Sequence, residues 1–276
     1  MPAIKTRTGN VVYEEQGSGL ALVLLHANPG DHHDFDAVIA PLAERFRVIA
    51  VDWPGYGLSS APELPKAASA MLFADVLEDV VAALNLQSAI YIGNSVGGYA
   101  AARFAITRPE QVQGLVLVSP GGFTAINALT RLLCAVKGNE AITRLIATRF
   151  ARLYLKTRNE WTAQILARTE TGRRKPASVA VDAAVWRSFA RPEHDLRQRA
   201  AAIQAPTLVV IGRHDPVIRA HADGRVAARS IPGAHLVIPD TGHEPFAEAP
   251  EEFLSIVLPF LEQILQAEGS HVASYS

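Results

Sequence analysis

A serine framed by glycines is the feature of this sequence with the clearest chemical potential. Ser95 lies in Gly-Asn-Ser-Val-Gly, a G-x-S-x-G pattern, after an apolar run and before a stretch of small residues. This context predicts a sharp strand-to-helix turn, in which Gly93 and Gly97 avoid side-chain collisions. Backbone N–H groups at a helix N-terminus can also face a developing oxyanion. We predict that Ser95 is a nucleophile; the competing interpretation is a glycine-rich packing turn.

A histidine and an aspartate follow later strands and supply the other groups that a serine nucleophile requires. A serine hydroxyl attacks when a base removes its proton, and that base is usually histidine. Of nine histidines, His243 follows the last predicted strand, where open α/β sheets gather catalytic groups. Asp215 also follows a strand and completes the chain order Ser…Asp…His. Asp240 is the rival carboxylate, but its place beside His243 suits it to closing the loop.

Short apolar runs predict the elements that position these residues. Runs of Val, Ile and Leu bounded by Gly, Pro, Asn or Asp are typical of parallel strands buried on both faces. The first two runs instead alternate apolar with polar residues around Gly9-Asn10, which predicts an edge hairpin. The predicted strands are Ile4–Thr8, Val11–Glu15, Leu20–Leu25, Arg47–Val51, Ala89–Ile92, Leu115–Val118, Thr207–Ile211 and His235–Ile238. With helices between them, they predict an α/β fold with an eight-stranded, mostly parallel sheet.

One long stretch contains helical patterns but no strand pattern. It lies between the strands that end at Val118 and begin at Thr207. The predicted helices there are Ile126–Val136, Ala141–Leu155, Trp161–Thr169 and Ala177–Phe189. We therefore predict a helical cap over residues 124–203, inserted into a core formed by residues 1–123 and 204–276.

The charges are divided unevenly between these two parts. The predicted cap holds 15 Lys or Arg against 6 Asp or Glu, a net of +9, while the remainder holds 11 against 21. The whole chain has a net charge of −1, which does not favour nucleic acid or a membrane as a partner. The basic cap is consistent with a small anionic substrate or simply with a solvated basic surface.

Bulk composition restricts the class of protein further. Apolar residues make up 49% of the 276 residues and charged residues 19%, so the chain can form a core and is not typical of disorder. The single cysteine, Cys134, excludes an internal disulfide and lies in an apolar helical pattern, which predicts a buried residue. Without a recognisable signal or an apolar run of membrane-spanning length, we expect a soluble, cytoplasmic protein.

A run of histidines and aspartates resembles a metal site at first sight. Residues 31–36 have the sequence Asp-His-His-Asp-Phe-Asp and directly precede a predicted helix. Aspartates at that place usually cap the helix and favour its dipole, whereas a metal site needs ligands that converge. We therefore predict no metal, and we consider His32 a candidate contact at the mouth of a substrate pocket.

Three further segments carry a family resemblance. Leu25–Gly30 resembles the H-G-x-P segment of the α/β-hydrolase superfamily, with Ala27 where glycine is usual. Asp52–Ser59 is similar to the D-x-P-G-x-G-x-S turn of these enzymes, and Gly242–Pro250 to their C-terminal signature. The resemblance implies that the backbone N–H groups of Asn28 and Val96 form an oxyanion hole.

The resemblance also implies a substrate site beneath the cap, with Trp161 and Trp186 as candidate contacts. The favoured activity is hydrolysis of a small carboxylic ester or lactone through an acyl-enzyme, without a cofactor.

Two segments allow an alternative activity. The turn Gly-Asn-Ser-Val-Gly-Gly around Ser95 and the later Ser-Pro-Gly-Gly-Phe are also similar to meta-cleavage-product hydrolases, which cut C–C bonds in anionic diketo acids. A non-catalytic ligand receptor is the alternative from another class. Asn28 occurs in an H-x-N-P segment like that of haloalkane dehalogenases, but those enzymes use aspartate where this chain has Ser95.

Overall fold

A single eight-stranded sheet organises the computed structural model, which describes residues 1–273, with side chains described through residue 267. The strands are β1 (Ala3–Thr6), β2 (Gly9–Gln16), β3 (Ala21–Leu25), β4 (Arg47–Val51), β5 (Ala89–Asn94), β6 (Val112–Val118), β7 (Thr207–Val210) and β8 (His235–Val237). Their order is β1-β2-β4-β3-β5-β6-β7-β8. β1 and β2 are antiparallel to their neighbours and the other six are parallel. The predicted fold is confirmed.

The edge hairpin turns earlier than the sequence pattern predicted. Thr6 pairs with Gly9, so the two turn residues are Arg7 and Thr8 rather than Gly9 and Asn10. Arg7 is held by a bidentate ion pair with Asp79, and the hydroxyl of Thr6 donates to the carbonyl of Gly9. The prediction of a Gly9-Asn10 turn is therefore wrong. Gly9 instead closes the turn as the residue paired with Thr6, and its φ of 108° is a conformation that suits glycine.

The described residues form ten α-helices. They are α1 (Asp36–Ala43), α2 (Ala70–Ala83), α3 (Val96–Thr107), α4 (Ala128–Lys137), α5 (Glu140–Tyr154), α6 (Glu160–Gly172), α7 (Pro176–Ser188), α8 (Arg225–Ser230), α9 (Pro245–Glu248) and α10 (Pro250–Ala273). Between β7 and β8 the chain forms a π-helical turn, Ala220–Gly224, which leads directly into α8. Among the described residues, no helix is both long and apolar enough to cross a membrane.

The core lies on both faces of the sheet. Alternate residues of β3 belong to different clusters: Val23 packs with α2 and α3, whereas Leu22 packs with α1 and α10. This alternation follows from the two-residue period of a strand. Between β6 and β7 the described chain has only helices, α4–α7 followed by two short 3-10 helices. The segment that was predicted to be a cap thus contains helices joined by loops, and no strand.

Candidate active site

Ser95 lies on the sharp turn between β5 and α3. Its backbone has φ 54° and ψ −109°, a conformation that non-glycine residues adopt at a cost of about 1–3 kcal/mol. Its N–H donates to the Val118 carbonyl at 2.9 Å, and its carbonyl accepts the Gly121 N–H at 2.9 Å, which holds the turn in place. A Cβ at Gly97 would come within 2.2 Å of the Leu25 carbonyl oxygen, so only glycine fits there. The local geometry is that of a nucleophile elbow.

His243 and Asp215 form a short, buried pair. His243 Nδ1 lies 2.6 Å from Asp215 Oδ2, and both side chains are almost fully buried. The other Asp215 oxygen accepts the N–H groups of Val217 and Ile218 at 2.8 and 3.0 Å. Burial alone would raise the pKa of Asp215, but the adjacent His243 and these N–H groups lower it below its usual value. An ionised carboxylate can therefore orient the imidazole ring.

The rival carboxylate has a different partner. Asp240 is 71% exposed, and its Oδ1 lies 2.8 Å from Nε2 of His214. Of the two aspartates that the sequence offered, the structure brings Asp215 alone to His243.

Two polar side chains tie the His243 loop to the rest of the site. The Asn94 amide donates to the carbonyls of His243 and Val118 at 3.1 and 3.2 Å, so the loop is joined to the residue before Ser95. Glu248 Oε2 accepts the Gly242 N–H at 3.0 Å and two further N–H groups from the segment after α5. Sequence analysis missed Asn94, although it lies inside the G-x-S-x-G pattern.

The loop after β3 is held by a buried histidine. His26 Nδ1 is 2.7 Å from the Ala27 carbonyl, and its Nε2 accepts the Trp53 N–H at 2.9 Å. Burial lowers the pKa of His26, which keeps the ring neutral and able to accept this bond. Asn28 follows directly on the loop, and Val96 begins α3, where the first N–H groups have no intrahelical partner. These two backbone groups were the predicted oxyanion hole.

The side chain of Asn28 connects this loop to the helical segment. Its amide donates to Oδ1 of Asp182 at 3.1 Å and to the carbonyl of Asp182 at 3.3 Å. Its carbonyl oxygen accepts the hydroxyl of Tyr56. Asp182 belongs to α7, so the helices between β6 and β7 are bonded directly to the loop that carries the candidate oxyanion donor.

A buried lysine completes this network. Lys137 is 1% exposed, and its Nζ lies 3.7 Å from Oδ2 of Asp182. The ammonium also lies over the rings of Phe150 and Trp186, at 4.6 and 5.5 Å from their centroids. Burial raises the pKa of Asp182, and the nearby Lys137 opposes that rise. A cation in this position compensates a carboxylate that would otherwise be buried without a counter-charge.

Ser95 and Asn28 line a cavity of about 310 Å³ beneath the helical segment. Most of the wall is apolar or aromatic and includes Ile126, Leu129, Leu133, Trp186, Phe189 and Ile218. Among the described residues, its charged lining consists of Asp195 and Arg219. Arg219 comes from the segment after β7, so the basic residues of α4–α7 do not line this cavity.

The predicted substrate contacts have different positions. Trp186 lines the cavity with Ser95. Trp161 packs partly buried against the hydrophobic cluster beneath α1 and α10. His32 is 2% exposed, and its Nδ1 is bonded to Asp52 at 2.8 Å. The structure thus places neither His32 nor Trp161 on the wall of the cavity that contains Ser95.

The histidine–aspartate run caps the helical turn that precedes α1. Asp31 and Asp34 form a reciprocal capping box, as their positions predicted. The ring centroids of His32 and His33 lie 3.9 Å apart with the ring planes tilted by 36°, and possible ligand atoms of both lie within 4.8 Å of Glu14. Nδ1 of His32 lies 2.8 Å from Asp52 Oδ1, and Nδ1 of His33 lies 3.1 Å from Asp36 Oδ2, so each ring also has a carboxylate partner. The absence of a metal at this run stays a prediction.

Comparison with known proteins identifies the family. Residues 21–250 match the family model described as alpha/beta hydrolase fold. The match covers most of the chain, and the protein belongs to this family. It is a hydrolase, and esterase-type activity fits its relatives.

Three similar proteins illustrate this relation. The pimeloyl-[acyl-carrier protein] methyl ester esterase of Nitrosomonas europaea is 31% identical over 256 residues, covering 88% of this chain and 96% of that protein. The thermophilic esterase of Thermogutta terrifontis has a TM-score of 0.80 at 25% identity, covering 95% and 98% of the two chains. Est816, an N-acyl homoserine lactone degrading enzyme, has a TM-score of 0.76 at 25% identity, covering 94% and 100%.

Proposed function

We propose that the protein is a serine hydrolase that cleaves a small carboxylic ester by way of an acyl-enzyme. The observation that carries this proposal is the strained Ser95 turn in a cavity wall, together with the 2.6 Å contact between His243 and Asp215. Strain of this kind persists where the surrounding structure enforces it, and it is concentrated at functional sites.

In the proposed mechanism, Ser95 Oγ attacks the ester carbonyl carbon while His243 Nε2 accepts the serine proton. Asp215 holds Nδ1–H, fixes the tautomer and stabilises the imidazolium ion that forms. The negative charge on the carbonyl oxygen is stabilised by the N–H groups of Asn28 and Val96. When the tetrahedral intermediate collapses, the ester C–O bond breaks and the alkoxide takes the proton from His243. Water then repeats the sequence on the acyl-enzyme and releases the acid.

The composition of the cavity supports an apolar acyl or alkyl group as substrate. Its wall offers aliphatic and aromatic side chains, and Arg219 is its one lysine or arginine among the described residues. Arg219 is also paired with Asp223 and largely exposed. This lining gives less support to an anionic diketo acid, the substrate of the alternative C–C hydrolase, than to an uncharged ester. A lactone differs from such an ester only in being cyclic and uses the same chemistry.

The test compares the wild type with Ser95→Ala and with Ser255→Ala, an exposed serine of α10. We expect p-nitrophenyl acetate and butyrate to be hydrolysed by the wild type and Ser255→Ala but not by Ser95→Ala. A fluorophosphonate should label Ser95 covalently in the wild type and in Ser255→Ala, and should not label Ser95→Ala. Equal ester turnover or equal labelling in Ser95→Ala would remove Ser95 from the mechanism.

A panel of short esters, lactones and dienoate diketones then separates the substrate classes. We expect turnover of esters and lactones. Turnover confined to the diketones would contradict the ester proposal and support C–C bond hydrolysis, whereas tight binding without any turnover would indicate a receptor.

A further inference from the structure

Large apolar side chains are exposed mainly on two adjacent helices. Of the eleven large hydrophobic residues that the described chain exposes, seven lie on α4 and α5. We call this set the apolar cap face: Leu129, Leu132, Leu133 and Val136 of α4, with Ile142, Leu145 and Leu153 of α5. Leu129 is 72% exposed, Leu132 61% and Leu145 76%. Isolated exposed leucines are ordinary, but a contiguous group marks an interaction site.

The spacing of these residues makes α4 an amphipathic helix with its apolar side outward. Positions 129, 132, 133 and 136 follow the i, i+3, i+4, i+7 pattern and form one stripe. The opposite side contributes the two fully buried groups of α4, Cys134 and Lys137. Cys134 and Lys137 therefore pack inward, whereas the apolar stripe is left exposed, with Leu129 and Leu133 at the open side of the cavity that contains Ser95.

Positive charge surrounds the apolar cap face. Apart from Lys137, which is buried beside Asp182, α4 and α5 carry four exposed arginines and one acid, Glu140. Arg149 lies four residues before Leu153 and Arg152 lies seven residues after Leu145, so both arginines share the exposed side of α5 with these leucines. Arg131 and Arg144 donate hydrogen bonds to backbone carbonyls. Because a carbonyl carries no net charge, these bonds do not neutralise the two arginines.

We propose that the apolar cap face docks on the surface of an anionic lipid bilayer. An amphipathic helix with exposed leucines and flanking arginines inserts its apolar side at the headgroup–acyl boundary, while the cations contact anionic headgroups. A second copy of the chain would complement the leucines equally well. It would, however, place two positively charged faces against each other, so charge complementarity favours the lipid surface. The helices lie on the surface and do not span the bilayer.

Docking in this orientation would bring the catalytic cavity to the membrane. Leu129 and Leu133 belong to the apolar cap face and also line the cavity that contains Ser95. The docking proposal itself does not depend on the proposed ester chemistry, because lipid binding can be measured without turnover.

The test is cosedimentation of the full chain with vesicles of phosphatidylcholine alone and of phosphatidylcholine mixed equally with phosphatidylglycerol. We expect binding to the mixed vesicles, weaker binding at high salt, and little binding to phosphatidylcholine alone. Leu132→Glu combined with Leu145→Glu should weaken binding by about tenfold or more, because burying one leucine in an apolar phase is worth about that factor. Leu58→Glu, at a similarly exposed leucine outside α4 and α5, should bind like the wild type.

A second variant keeps the result interpretable if the glutamates disturb the fold. Arg149→Gln with Arg152→Gln should reduce the preference for phosphatidylglycerol and leave the leucines in place. The proposal is overturned if the wild type does not sediment with mixed vesicles, or if both double variants bind as it does. It is also overturned if ultracentrifugation shows a dimer that Leu132→Glu/Leu145→Glu dissociates, since the face would then belong to a second copy.

Discussion

The sheet core and the helical segment α4–α7 differ in how their side chains are used. Every residue of β3 is buried, whereas α4 exposes four of its large apolar residues. The core positions Ser95, Asp215 and His243 through backbone bonds and one short side-chain contact. The helical segment contributes cavity walls and a buried ion pair instead. The candidate catalytic residues thus belong to the core, while more than half of the residues that line the cavity come from the segment between β6 and β7.

The largest expected effect is on the core side of this comparison. Replacing Asp215 by asparagine should lower kcat by about ten-thousandfold, because an amide in this position favours the wrong imidazole tautomer. The matched control is Asp240→Asn, which alters the exposed carboxylate bonded to His214 and should leave kcat within a few-fold of the wild type. Hydrolysis of p-nitrophenyl butyrate measures both. Equal losses in the two variants would contradict the assignment of Asp215.

The buried ion pair tests how firmly the helical segment is joined to the core. Lys137→Met leaves Asp182 buried without its cation, so the free energy of unfolding should fall by about 3–5 kcal/mol. Arg152→Met removes an exposed cation of α5 and should change it by less than about 0.5 kcal/mol. Chemical denaturation followed by fluorescence measures both values. A loss for Lys137→Met as small as that of the control would mean that the ion pair does not stabilise this contact.

Cys134 provides a probe of the cavity from the helical side. It lines the cavity with Ser95, and burial raises the pKa of its thiol to about 11. The thiolate is therefore about a hundredfold scarcer than for the ordinary pKa of 9.0, and alkylation should be slower by about that factor. Once alkylated, the protein should lose ester hydrolysis because the added group occupies the cavity. Cys134→Ala should keep its activity under the same treatment; rapid alkylation without inhibition would place Cys134 outside the functional cavity.

The last expected effect is on the pH dependence of stability and concerns a carboxyl group between the two regions. Asp34 precedes α1 and accepts a hydrogen bond from the Arg168 guanidinium of α6. Burial and the neighbouring Asp31 raise its pKa from 3.8 to about 7. Between these values the unfolded chain loses this proton and the folded protein keeps it. The contribution of protonated Asp34 to the free energy of unfolding is therefore fully present below about pH 4. It falls as the pH rises to 7, by at most about 1.4 kcal/mol per pH unit.

Asp34→Asn cannot titrate, so its free energy of unfolding should depend less steeply on pH across this window. Asp36→Asn, two residues along the same segment, should keep the slope of the wild type. Urea denaturation at a series of pH values gives the slopes. Identical slopes in Asp34→Asn and the wild type would show that this carboxyl group does not account for the pH dependence.

The sequence itself predicted most of the core. All eight strands begin and end within three residues of their predicted bounds. For the six parallel strands the reason is that strands buried on both faces have continuous apolar runs. Ser95, Asp215 and His243 each follow a strand, so their common edge of the sheet could be inferred from order alone. What failed in the core was the position of the hairpin turn, because Gly9 uses its positive φ at the residue that closes the turn rather than within it.

The tertiary structure decided the residues of the helical segment. Trp161 and Trp186 had the same apparent chance of lining the cavity, and only the packing of α6 and α7 places Trp186 there. The bonds from Asn28 to Asp182 join residues 154 positions apart, and no local pattern encodes such a contact. Helical periodicity shows which side chains share a face, but not whether that face points to the core, the cavity or solvent. The sequence thus determined the candidate chemistry, and the fold determined its surroundings.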